Sequence, residues 1–327
     1  MGNQVCDEAG GHAQHGHVQM LRQTGTEGVA GVFLRITKIR YNEIVLCTLG
    51  KWGGHGKSMR KYLSLRELQL TELELLEFFS DFCHRRNIRF YLIGGTLLGA
   101  IRHGGFIPWD DDIDVCMPRP DYNRFLSMSI TNEFPDHIKR ICGNEEKSPY
   151  AFSKLVDTRV YVNTIYSENA DLNVWIDIFP VDGLPERKQE RFLHYKKVEV
   201  LQTLQGLCTA RVGEGTTKMR AAIKRFIKPI VQIGANNYRN MIERLAQKYS
   251  FESAVTVGVV NGSLHGVREA MDKEKFLCAQ ETFFERRYFP TFSCAHEYLK
   301  NLYGDYMVLP EPKERKQHIR CAWMGDN

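Results

Sequence analysis

Two rhythms of hydrophobic and polar positions run along this chain, and the change from one to the other marks its elements. Leu68, Leu75, Phe79 and Phe82 recur at helical spacing behind Ser64 and Glu67, a capping-box pair, and predict a helix that ends near Asn87. Residues 89–93 (RFYLI) are a short apolar run closed by Gly94 and Gly95, the pattern of a buried strand entering a tight turn. Thr96 to Arg102 predicts a short helix, a second strand carries the aspartates of 110–114, and Arg119 to Ile130 reads as another helix started by a proline. Phe152 to Val162 and Val174 to Val181 read as further strands. Beyond Leu184 the pattern is mostly helical, with a Gly-containing break at 257–266 and a final segment of aromatic-rich loops and helix. The fold class is α/β (α+β): a mixed-sheet core over 58–185 and a mostly helical part over 186–327. Residues 1–57, Gly- and His-rich at both ends with a β-prone middle, read as an appendage that forms a hairpin or stays poorly ordered.

Composition changes this picture only at the edges. The 327 residues are 43% hydrophobic and 25% charged, enough for a sizeable core. No apolar run is long enough to span a bilayer and the first residues lack the apolar stretch of a secretory signal, so the expected place is the cytoplasm. Nine cysteines without a C-x-x-C pair fit reduced thiols rather than a disulfide framework or a zinc site. His12, His15 and His17 lie in a Gly-rich leader and read as part of a tail rather than as a ligand set.

Charge is unevenly spread. Residues 186–248 hold fourteen Lys and Arg against five Asp and Glu, a balance of +9 within a chain whose net charge is +5. Within that stretch Met219, Ala222, Ile223, Phe226, Ile227 and Ile230 alternate at helical spacing with Lys218, Arg220, Lys224, Arg225 and Lys228. Packing on its own domain is the commoner fate of such a helix. Peripheral contact of residues 218–231 with an anionic membrane, at its inner face, is the alternative. The stretch has few aromatic residues for stacking and no reader motif, so no specific nucleic-acid partner is expected.

The densest chemistry lies at residues 94–115, GGTLLGAIRHGGFIPWDDDIDV. If the aspartate segment is extended, Asp110, Asp112 and Asp114 share one face and Asp111 points the other way. Apolar neighbours (Ile107, Trp109, Ile113, Val115) argue against a solvated acidic loop. A calcium loop counted from Asp110 needs glycine at its sixth position, where Val115 stands. Clustered like charge needs a cation between the carboxylates, and Mg²⁺, or Mn²⁺ in its place, takes such hard oxygen ligands. Asp177, set between Ile176 and Ile178 in an expected core strand, needs a partner too. The same metal serves, with Asp112, Asp114 and Asp177 as its carboxylates.

Strand, glycine turn, helix and two acid-bearing strands suit metal-assisted phosphoryl or nucleotidyl transfer. Glycines let backbone approach a phosphate and the following helix start attracts its charge, which makes Gly94, Gly95 and Thr96 substrate-binding candidates. A metal held by Asp112 and Asp114 would stabilise charge on the leaving group, and a remaining carboxylate would accept the proton of an attacking hydroxyl. Arg102 suits a bidentate clamp on phosphate; His103 lies beside it, and Lys154 is a further cationic candidate.

The blocks GGTLLGAIRHGGFIPWDDDIDVCMPRPDYNRF, WIDIFPVDGLP and YLKNLYGDYMVLPEPKERKQH, in that order over about residues 60–320, resemble the successive motifs of the LicD family. The resemblance implies a nucleotidyltransferase-type fold. It implies transfer of a phospho-alcohol, phosphocholine above all, from a CDP-alcohol donor such as CDP-choline to a cell-surface or lipid-linked glycan acceptor, teichoic acid or lipopolysaccharide. Fukutin-type relatives move ribitol phosphate instead. Metal or catalytic roles pass to Asp110, Asp112 and Asp114, a third carboxylate role to Asp177, and nucleotide-phosphate contact to Gly94, Gly95 and Thr96. The YGDYM block (residues 303–307), Arg315 and His318 also match. Residues 1–57 match nothing in the family. Two other functions use the same residues: a nucleotidyltransferase moving a nucleoside monophosphate to a small acceptor, and a non-catalytic nucleotide- or glycan-binding protein.

Overall fold

Ser64 starts the first helix as its pattern requires. The Ser64 side chain accepts from the Glu67 amide and the Ser64 amide donates 2.8 Å to Glu67 Oε2, the reciprocal bonds of a capping box. In the computed structural model, which describes residues 60–130, 133–143, 150–164, 172–209 and 235–325, this helix (α1) spans Leu65–Arg85. The expectations for residues 1–57, His12, His15, His17 and the basic stretch 218–231 lie outside the described residues. Leu68, Leu75, Phe79 and Phe82 form the buried stripe of α1, and Gln69 and Glu72 are buried on it as well. Phe79 and Phe82 meet Phe125 edge-on, each ring contributing roughly 1.5–3 kcal/mol by burial. After α1 the chain turns at Asn87, the residue expected at the helix end, whose φ of 50° is left-handed.

The sheet around which the rest is built contains β1 (Tyr62–Leu63), β2 (Tyr91–Leu92), β3 (Asp114–Pro118), β5 (Ser153–Thr164), β6 (Leu172–Leu184) and β11 (Ile319–Met324), in the order β1-β11-β5-β6-β3-β2. β4 (Ile138–Ile141) pairs with β5, while β7 (Thr256–Val259) joins β6 to β8 (Met271–Asp272). Among the described strands only β3 and β6 run parallel; the other pairs are antiparallel. That exception sets the site, because its register puts Asp114 opposite Asp177. On the far side of β6, Lys154 is the partner of Asp177.

Among the described residues the further α-helices are α2 (Gly94–His103), α3 (Arg119–Ser127), α4 (Lys188–Thr209), α5 (Ala235–Ala246), α6 (Lys273–Leu277) and α7 (Ala295–Tyr303). α2 starts at Gly94 itself, two residues before the expected start, because Gly94 adopts φ +56° and needs no separate turn ahead of the helix. α3 stops at Ser127 rather than running to Ile130. Beyond Leu184 the helices alternate with strands that apolar spacing alone did not mark, including a hairpin of β9 (Ala279–Phe284) and β10 (Arg287–Phe292). β7 and β11 return to β6 and β5, so residues from both parts of the described chain share one sheet, and the described residues form one compact unit. Among the described residues no helix is long and apolar enough to cross a membrane.

Candidate active site

Two glycines open the site. A Cβ on Gly94 would lie 3.1 Å from Asp114 Oδ2, and one on Gly95 would lie 2.9 Å from Asp110 Oδ2. The turn is thus a cradle that side chains would fill, and the carboxylates of Asp114 and Asp110 lie against it. Thr96 fixes the approach, since its Oγ1 accepts from the Asp114 amide at 2.8 Å. The first N–H groups of α2 have no partner within the helix, so its start is suited to an anion.

The aspartate run is not the single extended strand its alternation suggests. The strand begins only at Asp114; Ile113 accepts from the Asp177 amide at 2.8 Å, and Asp110 to Asp112 approach outside the ladder. The reason is a pull from elsewhere in the chain. Asp111, 1% exposed, accepts from the amides of His318 (2.8 Å) and Ile319 (2.7 Å), and so anchors the start of β11. Asp112 Oδ2 lies 2.8 Å from His318 Nδ1. Asp111 and Asp112 therefore converge on one residue, and with His318 they bring one ligand atom each within 4.8 Å of one another, an arrangement that suits a metal ion. Asp111, expected to point away from the chemistry, proves to be a structural anchor at its rim.

Asp177 arrives from β6. Lys154 Nζ lies 2.6 Å from its Oδ1 and the Trp175 indole donates 3.2 Å to its Oδ2. The same ammonium sits 4.1 Å from the Trp175 ring centre and 4.3 Å from that of Tyr150. Lys154 is thus spoken for by aromatic faces and by Asp177. Arg102 is also engaged: its Nη1 donates 2.6 Å to the Tyr306 carbonyl, holding the YGDYM turn against α2. His103 packs edge-on to Trp109, whose ring lies 4.2 Å beneath the Arg315 guanidinium. The two family-motif residues that lacked a physical role, Arg315 and His318, cover the aspartate loop.

Burial and mutual repulsion set the electrostatics. Burial first, then Asp112 and Asp111, push Asp110 up to about 8. Asp114 is raised by burial and by Asp112, Asp177 and Asp110. Burial also lifts Asp177, in spite of the Lys154 charge that favours its ionised form. His318 rises to about 9 because of its hydrogen bond to Asp112. α1 contributes an acid that the apolar pattern concealed: Glu72, fully buried, is raised well above its ordinary value by burial and then by Asp112. Its Oε2 has no hydrogen-bond partner. Next to it on the same face, Gln69 donates 2.8 Å to the Asp110 carbonyl. A charged residue set between Leu68 and Leu75 on a buried stripe was the signal available for Glu72.

A hard divalent cation fits these residues. The donors are carboxylate oxygens, the glycine cradle leaves room beside two of them, and an orphaned carboxylate oxygen lies behind. Proton and metal compete for the same oxygens, which gives a sign to the pH dependence. Asp110, raised from its ordinary value to about 8, stabilises the folded state below about pH 4 and loses that contribution as pH rises through 8. The melting temperature without metal is expected to fall over that window, and the increase produced by Mg²⁺ to be larger at about pH 8.5 than at about pH 6. Thermal melts with and without Mg²⁺ check this; an equal increase at both values would exclude a metal on these acids.

Comparison with known proteins gives the family. The family model described as LicD/FKTN/FKRP, nucleotidyltransferase domain, matches residues 87–205, which carry the glycine turn, the aspartates, Lys154 and Asp177. The lipopolysaccharide cholinephosphotransferase LicD of Haemophilus influenzae is 33% identical over 265 residues, 79% of this chain and 97% of that protein. An uncharacterised protein of Rickettsia typhi is 34% identical over 113 residues, covering 32% of this chain and 34% of its own. A short segment, 28 residues at 61% identity, matches the mouse ribitol 5-phosphate transferase FKRP over 9% of this chain and 6% of that protein. Likeness along nearly the whole of the Haemophilus protein, together with a cradle of glycines facing paired carboxylates, places the chain in the LicD family of phosphotransferases.

Proposed function

We propose that this protein transfers a phospho-alcohol, phosphocholine in the simplest case, from a CDP-activated donor to a hydroxyl of a cell-surface glycan, with Mg²⁺ bound by Asp112, Asp114 and Asp177. The observation that carries the reading is the register of the parallel pair β3 and β6. It sets Asp114 opposite Asp177 while Asp114 also lies against the Gly94 cradle. Diphosphate seated on that cradle meets the open amides of α2 on one side and the carboxylates on the other. Asp112 and His318 lie at the second edge, where they add a hydrogen-bonded pair. The metal's contribution is charge stabilisation on the phosphate oxygens.

The acceptor hydroxyl attacks the donor's β-phosphorus in line, the P–O bond to the α-phosphate breaks, and CMP leaves with that electron pair. The hydroxyl proton passes to a carboxylate. Asp110, whose affinity for protons is raised by burial, is the candidate. Lys154 stays with Asp177 and holds its charge in place between β5 and β6. Choline as the alcohol and lipopolysaccharide as the acceptor rest on the Haemophilus relative. The protein's place is the cytoplasmic side, where nucleotide donors are made.

A screen of CDP-choline, CDP-ribitol and CDP-glycerol with Mg²⁺ and a glycan acceptor tests the reading. CMP and a phospho-alcohol-modified glycan are the expected products. Pyrophosphate with a nucleotidylated acceptor would assign nucleotidyl transfer instead, and no product with any donor would leave the fold without this activity.

A further inference from the structure

A groove of about 440 Å³ runs between α4 and the loop at 263–268, away from the residues assigned so far. That volume falls within the range of small-ligand sites. One wall is the Phe192 ring, 49% exposed on α4, and the other carries Leu264, 90% exposed. Glu199, Gln202 and Ser263 add hydrogen-bonding groups along the length of the groove. Its floor is rigid: Tyr195, 4% exposed, donates its hydroxyl to the Val259 carbonyl at 3.1 Å and packs in a second core with Leu184, Val198 and Ile242.

One end of the groove borders α7, and the turn that follows α7 is tied to α2 by the Arg102 bond to the Tyr306 carbonyl. His265, at its edge, packs edge-on against Tyr303 with ring centres 5.3 Å apart. Burial above all, and then the charges of Asp114 and Glu269, raise the Tyr303 phenol. Arg268 ties the same edge to α7, donating 3.2 Å to the Leu302 carbonyl.

We infer that this groove is the carbohydrate subsite, where the sugar residues of the acceptor lie while one hydroxyl reaches the aspartates; the assignment rests on the transferase reading above. The lining argues for sugar over lipid. An exposed ring offers a negative face to the C–H groups of a pyranose, and an amide, a carboxylate and a hydroxyl serve its hydroxyls as both donors and acceptors. Lys196 and Arg268 are held in place, the first by Glu199 at 2.7 Å and the second by the Leu302 carbonyl. The surface is also concave, which suits a chain of sugars better than a flat membrane.

Saturation-transfer NMR of the full chain with lipopolysaccharide core oligosaccharide tests this directly, without turnover. Transfer to sugar C–H protons is expected for the wild type, with affinity weakened about fivefold or more in Phe192→Ala and in Gln202→Ala. Both variants change side chains on one accessible helix face, and circular dichroism melts confirm their folding. In coupled assays the acceptor KM rises by a similar factor while the donor KM holds. No binding by the wild type, or equal binding by both variants, would overturn the assignment. Pull-down by anionic phospholipid vesicles that Phe192→Ala abolishes, without sugar binding, would overturn it in favour of a membrane contact. Absence of CMP release with every donor, with sugar binding intact, would sink the transferase reading and leave the groove as a glycan site.

Discussion

Asp114→Ala is expected to abolish measurable transfer, lowering CMP release at least roughly thousandfold, because it removes the carboxylate that the fold sets both against the glycine cradle and opposite Asp177. Asp112→Ala should act similarly, with loss of the His318 hydrogen bond besides. Neither change empties the core. Asp114→Ala relieves repulsion among acids whose affinity for protons burial and their neighbours raise, so it is expected to melt at or above the wild-type temperature in the absence of metal, whereas Asp112→Ala offsets that relief by losing the His318 pair. Inactivity with retained or raised stability is the signature. A thermal melt and a CMP assay on the same samples read both, and an active Asp114→Ala would remove the aspartates from the mechanism. The metal-dependent increase in melting temperature should shrink in the same variants.

The second large effect lies away from the aspartates. Arg119, first residue of α3, donates to both oxygens of Asp182 on β6, at 2.5 and 2.8 Å, and 2.7 Å to Glu243 Oε1 on α5. Its side chain is 7% exposed and that of Asp182 is 1% exposed. Arg119→Ala would leave a buried carboxylate without its cation, a loss of about 3–5 kcal/mol, or a fall of roughly 4–8 °C in melting temperature for a chain of this size. Asp182 already stands at about 6 because burial outweighs the arginine. Without Arg119 it should rise further, so the folded variant takes up a proton that the unfolded chain releases. Its deficit is therefore expected to be smaller at about pH 5 than at about pH 8. Arg119→Met combined with Asp182→Leu should recover much of the loss, since the buried carboxylate goes with its cation and Glu243 keeps its bonds from Gln247 and Asn261. Denaturant titrations at the two pH values decide it, and a loss independent of pH would mean that Asp182 does not carry the charge.

Much of the geometry near the glycine turn was legible because it is local. Gly94, Gly95 and Asp114 lie within 21 consecutive residues, and the capping box at Ser64 needs only three residues of separation. Asp177 was legible for a different reason: an acid between Ile176 and Ile178 contradicts its own strand, and the contradiction pointed to a partner. What sequence could not supply was which partner stands where. Lys154 and Asp177 are opposed by strand register, and Arg119, Asp182 and Glu243 meet only when α3, β6 and α5 are packed. Glu72 was concealed by the stripe that buries it, since a helix can carry one misplaced polar residue on solvent as easily as in a core. Arg102 has a partner of the same long-range kind. Its guanidinium suits phosphate, yet the carbonyl of Tyr306, distant in sequence, takes one arm of the fork. The strands beyond Leu184 were missed because short edge segments such as β8 and β9 show too few apolar positions to set a period.

The anchoring of β11 by Asp111 has a temporal meaning. The bonded residues are 207 and 208 positions apart, so the aspartate loop cannot settle until the chain has been made through Ile319 and has returned to the sheet. Contacts of such long range form late in folding. A growing chain can therefore build α1, the glycine cradle and the β3–β6 pair and still lack the clamp on Asp111 and the His318 contact to Asp112. Competence for chemistry is acquired in one late step, when the strand that begins at Ile319 docks.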